Sequence, residues 1–562
     1  MVWLPAPVPE TASALVDGGF EPRLAAVLAR RGLDSADEAE RFLAPGLEQL
    51  HEPRLLAGME DAVARLVAAR DGGEPVAIVG DYDVDGVSGT ALLSAVLRAC
   101  GFVVKTILPH RMRDGYGFQP VHAERALAFG CGVLITVDCG TNSVTAAERA
   151  MAGGLDVVIT DHHLPGSSLP AGVLHVNPRQ EGCSYPFPDL SGAGLALKLA
   201  LAVAEGCGRP MDPLRLLRIA CLGTIADLVP LRGENRVIAS LGLAELERTR
   251  SPGLRALIDV SRIRPPYGAD DVGYRLGPRL NAPGRLESAD TALELLLTRD
   301  VARAKELARD LDARNRERQE WERQAAEEAR ELFLARPQLP PILLGWSEGW
   351  HRGVVGIAAG RLARELNRPV LLLAVEGDRA TGSGRSISGI HLHDFLSEHK
   401  DSMERFGGHA QAVGLTVAAE TLPAFREALE KAAEPWAERV ATRRYEYEIE
   451  IEAREAGHDL LGELRRLKPF GQGNPRPLVR VRGPLRLAAA PRLFGRGHLS
   501  AELVAPDRGR IKVLGWGWAE RSSDLLGEVE LLGRLELDRY TGDCVLKLVD
   551  ARASVDDRPA TT

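Results

Sequence analysis

The chain has no apolar run near the roughly 20 residues needed to span a bilayer. Its opening, Met1-Val-Trp-Leu-Pro-Ala-Pro7, has neither a basic n-region nor an apolar h-region. No membrane segment or secretory leader is expected, and a cytoplasmic protein is. Cysteine is sparse: seven residues, at 100, 131, 139, 183, 207, 221 and 544, with no Cys-x-x-Cys pair among them. That excludes a disulfide frame and a cysteine zinc site, and the cysteines read as reduced core or near-core residues. An excess of positive charge is also missing. Net charge is −8, so any nucleic-acid binding must use local basic surfaces and metals, not a global field. No internal repeat is present. What remains, 45% hydrophobic and 26% charged residues over 562 positions, is the composition of a soluble globular protein of about three or four domains.

One stretch organises the rest. Val76-Ala-Ile-Val-Gly-Asp-Tyr-Asp-Val-Asp-Gly86 reads as a buried strand that ends in three carboxylates, Asp81, Asp83 and Asp85, before a helix begins. Ligands bind at the carboxyl ends of strands in open α/β sheets. Three adjacent acids repel one another unless a cation neutralises them, so a divalent metal site competes with a solvated acidic turn.

The surrounding patterns divide the chain. Residues 1–50 are Pro- and Ala-rich with two short helical patterns and look like an N-terminal appendage. From 51 to 299, strand patterns at Val103–Leu108, Val133–Val137, Val157–Thr160 and Val173–Val176 alternate with helices, which predicts a doubly wound parallel sheet followed by a helical block. Residues 300–337 predict one long charged connector helix. Residues 338–436 read as a second, smaller α/β unit, with glycine-rich loops at Gly382-Ser-Gly-Arg-Ser386 and Phe406–Gly414. Residues 437–552 hold short strands with Gly and Pro turns, the pattern of an OB-like β-barrel, and 553–562 read as a frayed tail.

Three further segments repeat the chemistry of the first. Leu134–Val137 runs into Asp138, Val158–Thr160 into Asp161-His162-His163, and Ala220–Ala226 into Asp227, all read as strand ends. Converging on one sheet edge, they offer carboxylates and imidazoles suited to Mn²⁺ or Mg²⁺, with imidazole favouring Mn²⁺. Two such ions roughly 3.5–4 Å apart activate water and hold the leaving oxygen of a phosphodiester.

In order, Asp81-Tyr-Asp-Val-Asp-Gly86, Asp138, Asp161-His-His163 and Asp227 resemble the four motifs of the DHH phosphoesterase superfamily. Pro278-Arg-Leu-Asn-Ala-Pro-Gly-Arg285, Asn315-Arg-Glu-Arg-Gln319, Gly407–Gly414 and Leu467-Lys-Pro-Phe-Gly-Gln-Gly-Asn-Pro475 narrow the resemblance to its bacterial RecJ family of single-strand-specific 5′→3′ exonucleases, over nearly the whole chain. The resemblance implies a DHH catalytic domain at 51–299, a DHHA1-type substrate domain at 338–436 and a nucleic-acid-binding OB-like domain at 437–552. It implies two ions: Asp83 and Asp138, with Asp81, at one, and Asp85, Asp138, His162 and Asp227 at the other. Smaller relatives carry a histidine where this chain has Val79, and Asp81 is the substitute at hand. Asp161 is then an orienting residue, and His163 contacts the scissile phosphate or the leaving oxygen.

For the strand, Ser383 and Arg385 suit a terminal phosphate pocket, with Gly408 and His409 in a neighbouring loop. Arg279, Asn281 and Arg285 form a junction loop whose alternatives are phosphate contact or an ordinary ion pair. Arg111 and Tyr116 combine guanidinium and ring as a single strand requires, against plain core packing of the tyrosine. Lys468, Phe470 and Arg476 precede the barrel. The implied function is release of 5′-mononucleotides from single-stranded DNA in recombination and repair, by a monomer working with single-strand binding protein and a helicase. Two alternatives stay open: a DHH phosphodiesterase for short oligoribonucleotides or cyclic dinucleotides, and a non-catalytic DNA-binding scaffold.

Overall fold

The computed structural model describes residues 1–554 except 111, 112, 116, 287, 496 and 539, and the backbone but not the side chains of 285 and 286. Arg111 and Tyr116, the Arg285 side chain and most of the expected tail therefore lie outside the described residues.

Strand periodicity explains the first domain. Its five-stranded sheet is wholly parallel, in the order Val104–Ile107, Val76–Gly80, Val133–Val137, Asp156–Thr160, Leu174–Val176. Alternate residues of the Val76 strand enter different cores: Val76 and Ile78 face one helical layer, Ala77 and Val79 the other. Each fully buried Val or Ile contributes about 1.5–3 kcal/mol, which is why an unbroken apolar run is stable only when both faces are covered. Register then sets the edge. Gly80 pairs with Val137, and Val137 with Thr160. The ladder continues one residue further, the amide of Asp81 donating to Val137 O and that of Asp138 to Thr160 O. Asp81, Asp138 and Asp161 thus stand in one row at the carboxyl edge.

Helices Gly192–Gly206, Pro213–Ala226 and Gly233–Glu247 close one face. Asp227 caps the end of the second of these, so the expectation that it ends a strand is corrected: its apolar run is helical and buries Leu217, Ala220, Cys221 and Leu222. The connector Val301–Leu334 is a single helix, about 50 Å long at 1.5 Å per residue. Its ends belong to different cores. Ala304, Leu307, Ala308 and Leu311 pack in the first domain, Ala325, Ala326, Ala329 and Phe333 in the second.

The second domain is a mixed five-stranded sheet in the order Arg405–His409, Ala412–Ala418, Arg379–Arg385, Val370–Glu376, Leu343–Ser347. Both glycine-rich stretches expected as loops are strands here. Glycine serves close approach: a Cβ on Gly382 would lie 1.9 Å from the carbonyl oxygen of Leu372. The third domain is a closed barrel. Val479–Leu487 pairs with Val529–Leu537 and with His498–Val504, while Arg510–Gly515 and Cys544–Ala553 complete the ring. The N-terminal segment is no loose appendage. Val2–Pro5 pairs with Arg444–Tyr447, and Leu15, Leu24, Leu28 and Phe42 share the barrel's core. Buried Arg236 ties these parts together. Its guanidinium lies 3.6 Å over the Phe42 ring and donates to the carbonyls of Phe42 (2.5 Å), Leu467 (3.1 Å) and Lys468 (2.6 Å). Among the described residues no helix is long and apolar enough to cross a membrane.

Candidate metal centre and strand contacts

Gly80 ends the first strand and Asp83 caps the helix Val84–Ala99, its Oδ1 accepting from the amides of Asp85 (2.9 Å) and Gly86 (3.1 Å). Gly86 lets this first turn press on the strand end, since a Cβ there would meet the Asp81 backbone at 2.5 Å. Asp85 points from the same turn to the start of the Gly192 helix. Its two oxygens accept from the amides of Gly192 (2.6 Å) and Ala193 (2.9 Å), an anion seated on a helix N-terminus. Ser191 caps that helix. Asp138 follows its strand at φ 63°, a left-handed conformation seldom adopted by residues other than glycine. A Cβ on Gly192 would lie 2.5 Å from the Asp138 Cβ, and one on Gly223 would lie 2.3 Å from Asp85 Oδ1. These glycines are functional residues that motif reading missed. Their role is to leave room, which only the packed structure displays.

The carboxylates and imidazoles converge in three groups whose ligand atoms lie within 4.8 Å of one another: Asp81, Asp83 and Asp138; Asp85, His162 and Asp227; and Asp138, His162 and His163. His162 Nε2 is 3.0 Å from Asp138 Oδ1, 3.6 Å from Asp227 Oδ2 and 3.9 Å from Asp85 Oδ2. Yet neither Nε2 nor Asp138 Oδ1, both buried, makes a hydrogen bond. Electrostatics point the same way. Burial, reinforced by Asp83, pushes the Asp85 carboxyl up to about 7, and burial with Asp85 and Asp83 pushes Asp227 up to about 9. Asp138 rises well above the carboxylate range through burial and its acidic neighbours. Burial and the adjacent His163 pull His162 down to about 4, leaving a neutral imidazole. Acids that resist ionisation together, around an unpaired imidazole nitrogen, form a donor set that fits divalent cations, whose charge reverses the penalty.

Asp161 plays a different part. Oδ1 accepts from the amide of His162 (2.8 Å) and lies 2.7 Å from His163 Nδ1, while Oδ2 accepts from the amide of Thr141 (2.9 Å). Burial opposes its charge, but His163 and these donors outweigh burial and hold the carboxyl below the usual range. For His163, burial lowers the pKa and Asp161 more than restores it, to about 9.

A model described as DHH family, N-terminal domain, matches residues 75–224, the DHHA1 domain residues 339–434 and the RecJ OB domain residues 447–549. Single-stranded-DNA-specific exonuclease RecJ of Bacillus subtilis is 38% identical, over 82% of this chain and 58% of that protein. RecJ of Dickeya dadantii is 35% identical over 96% of this chain and 97% of its own length. The chain belongs to the RecJ family. The crystal structure of RecJ in complex with Mn²⁺ from Thermus thermophilus superposes with a TM-score of 0.81 at 30% identity, covering 99% of this chain and 80% of that one.

Within this RecJ-family chain the expected strand contacts are distributed unevenly. Ser383 and Arg385 lie side by side against Gly356 in the first turn of the helix Val355–Leu366, where a Cβ would meet Arg385 Nη2 at 3.0 Å and Ser383 Oγ at 3.1 Å. Gly408 and His409 lie on the outer strand, His409 paired with Ala412 and Ala412 with Arg385. The supposed junction loop is helix Gly277–Leu286, seated by buried Leu276 and Leu280. Arg279 there pairs with Asp312 at 2.9 Å, the ordinary ion-pair alternative, and Asn281 lies one turn from Gly284, which abuts the Tyr82 carbonyl. Arg476 pairs with Asp270 at 3.0 Å.

Proposed function

We propose that this protein is a single-strand-specific 5′→3′ exonuclease that hydrolyses phosphodiester bonds with two divalent ions and releases 5′-mononucleotides. The observation that carries it is His162 Nε2 and Asp138 Oδ1, 3.0 Å apart and without a hydrogen bond amid buried carboxylates, in a chain matched over 96% of its length by a relative named single-stranded-DNA-specific exonuclease RecJ. Asp81, Asp83 and Asp138 would hold one ion, and Asp85, His162 and Asp227, with Asp138 shared, the other. When bound, such ions polarise the phosphodiester, lower the pKa of water and neutralise the leaving oxygen.

The chain's own residues supply the rest. Asp161, already accepting from three backbone amides, also accepts a hydrogen bond from His163 Nδ1–H. That favours the imidazolium, protonated on both nitrogens, and orients Nε2–H to give its proton to the leaving oxygen. The helix start at Gly192 holds Asp85 in place before any ion arrives. Ser383, Arg385 and the helix turn at Gly356 form a pocket of donors suited to a 5′ phosphate, which would set polarity.

The test uses single strands labelled at either end, with Mn²⁺. Label released from the 5′ end only, and its loss in Asp138→Asn with strand binding retained, is expected. Release from the 3′ end, or equal attack on duplex, refutes the reading.

A further inference from the structure

Beside the histidine pair, three loops meet in a cluster without a role in the chemistry above. The Asn177 side-chain amide donates to the His163 carbonyl (2.9 Å) and to the Thr141 hydroxyl (3.0 Å), and its Oδ1 accepts from the amide of Arg179 (2.8 Å). Arg179 is thereby tied to the backbone that carries His163. Its Nε donates to the Pro188 carbonyl (3.2 Å) and its Nη2 to Asp189 Oδ1 (3.0 Å). Arg232 Nη2 donates to the other oxygen of the same carboxylate at 3.1 Å. One carboxylate thus aligns two guanidinium groups, and the trio carries one net positive charge. Among the described residues Arg179 Nη1 has no partner. Both arginines reach solvent, with side-chain exposures of 28% and 58%.

The cluster's place in the fold gives it a direction. Asp189 lies three residues before Gly192, the clamp on Asp85, and its carbonyl accepts from Asn235 at 2.5 Å. Arg232 follows Leu231, whose amide donates to the carbonyl of Gln472 in the C-terminal domain at 2.8 Å. The charge therefore stands between the metal centre and the barrel. A 5′ phosphate at Ser383 and Arg385 would belong to the second domain instead. Guanidinium groups held in a fixed fork match phosphate oxygens, and a solvent-facing net cation beside an acidic centre is where a polyanion gains most.

We infer that Arg179 and Arg232 form a phosphate subsite, holding the backbone phosphate one linkage to the 3′ side of the scissile bond. This rests on the exonuclease reading. The alternative occupant of the guanidinium groups is Asp189 alone, a purely structural ion pair.

The experiment measures first-nucleotide release from 5′-phosphorylated single strands in which one linkage at a time, from the second to the fourth, is a neutral methylphosphonate. On the unmodified strand Arg179→Met should raise KM about tenfold, the worth of one charge-assisted hydrogen bond. kcat and the Mn²⁺ dependence should stay at wild-type values, and Arg179→Lys should recover part of the loss. The penalty of Arg179→Met, and of Arg232→Met, should vanish when the second linkage is neutral and persist for the others. A penalty equal at every linkage, or one expressed as weaker Mn²⁺ dependence, overturns the subsite. Wild-type release from the 3′ end would overturn the exonuclease reading, whatever the variants do.

Discussion

Gly192→Ala isolates the clamp on the metal centre from the fold around it. The added methyl would lie 2.5 Å from Asp138 Cβ and 2.7 Å from its Cγ and Oδ1, against ordinary contact at 3.4 Å, so about 0.9 Å must be found. Asp138 cannot yield it easily, because its amide is bonded to Thr160 O and its φ is already 63°. The helix start must move instead, which stretches the 2.6 Å bond from the Gly192 amide to Asp85 to about 3.5 Å, the limit of hydrogen bonding. Losing one charge-assisted bond costs about 1.5–3 kcal/mol, or about 10–100-fold in Mn²⁺ affinity if Asp85 is a ligand. Alanine is the better helix former by roughly 1 kcal/mol, so global stability should change little. The assay is initial release from a 5′-labelled strand against Mn²⁺ concentration, with calorimetric Mn²⁺ titration and a thermal melt. A Mn²⁺ midpoint within twofold of wild type, at unchanged melting temperature, would refute the clamp. A collapse in melting temperature would show that the methyl damages the core and not the site.

Three further outcomes follow from other contacts. Asp161→Asn should lower hydrolysis about 10–100-fold while strand affinity stays level, since it disturbs the group that orients His163 and touches no strand contact; an unchanged rate would remove His163 orientation from the mechanism. Arg385→Ala should erase the preference for 5′-phosphate over 5′-hydroxyl ends, read as the ratio of kcat/KM for the two substrates; a preserved ratio places the terminus elsewhere. Arg236→Met should destabilise the union of the N-terminal segment, catalytic domain and barrel by about 3 kcal/mol, because buried carbonyls of Phe42, Leu467 and Lys468 lose their donor. Faster proteolysis between the domains is the readout, and a single unchanged melting transition would contradict it.

How far the site was legible depended on the reach of each signal. The central parallel strands announce themselves by short, largely apolar runs, and Asp81, Asp138 and Asp161 each stand one residue beyond such a strand. Their convergence needs only the rule that parallel strands end on one edge, so the acidic row could be read from the chain. Asp227 follows an equally apolar run that is helical, because period and length overlap between a short buried strand and one buried helix face. Gly382-Ser-Gly-Arg385 looked like a loop since glycine has little strand preference of its own; the neighbouring Leu372 backbone, too close for any Cβ, decides otherwise. Arg279 sits among Pro and Gly, yet burial of Leu276 and Leu280 holds a helix there.

By itself, then, the sequence determined the order of the domains, the doubly covered sheet and which acids stand at its edge, since these follow from periodicity within about ten residues. Only the tertiary structure decided that Asp227 arrives from a helix end, that Gly192 and Ala193 seat Asp85, and that Asp189 joins Arg179 to Arg232 beside the histidines. The contacts of Asp85 with Gly192 and Ala193, and of Asp189 with Arg232, join residues 43 to 108 positions apart. They depend on register and on the absence of a side chain at a point of contact, and both are settled by packing, where the burial of distant apolar faces fixes how closely two backbones approach.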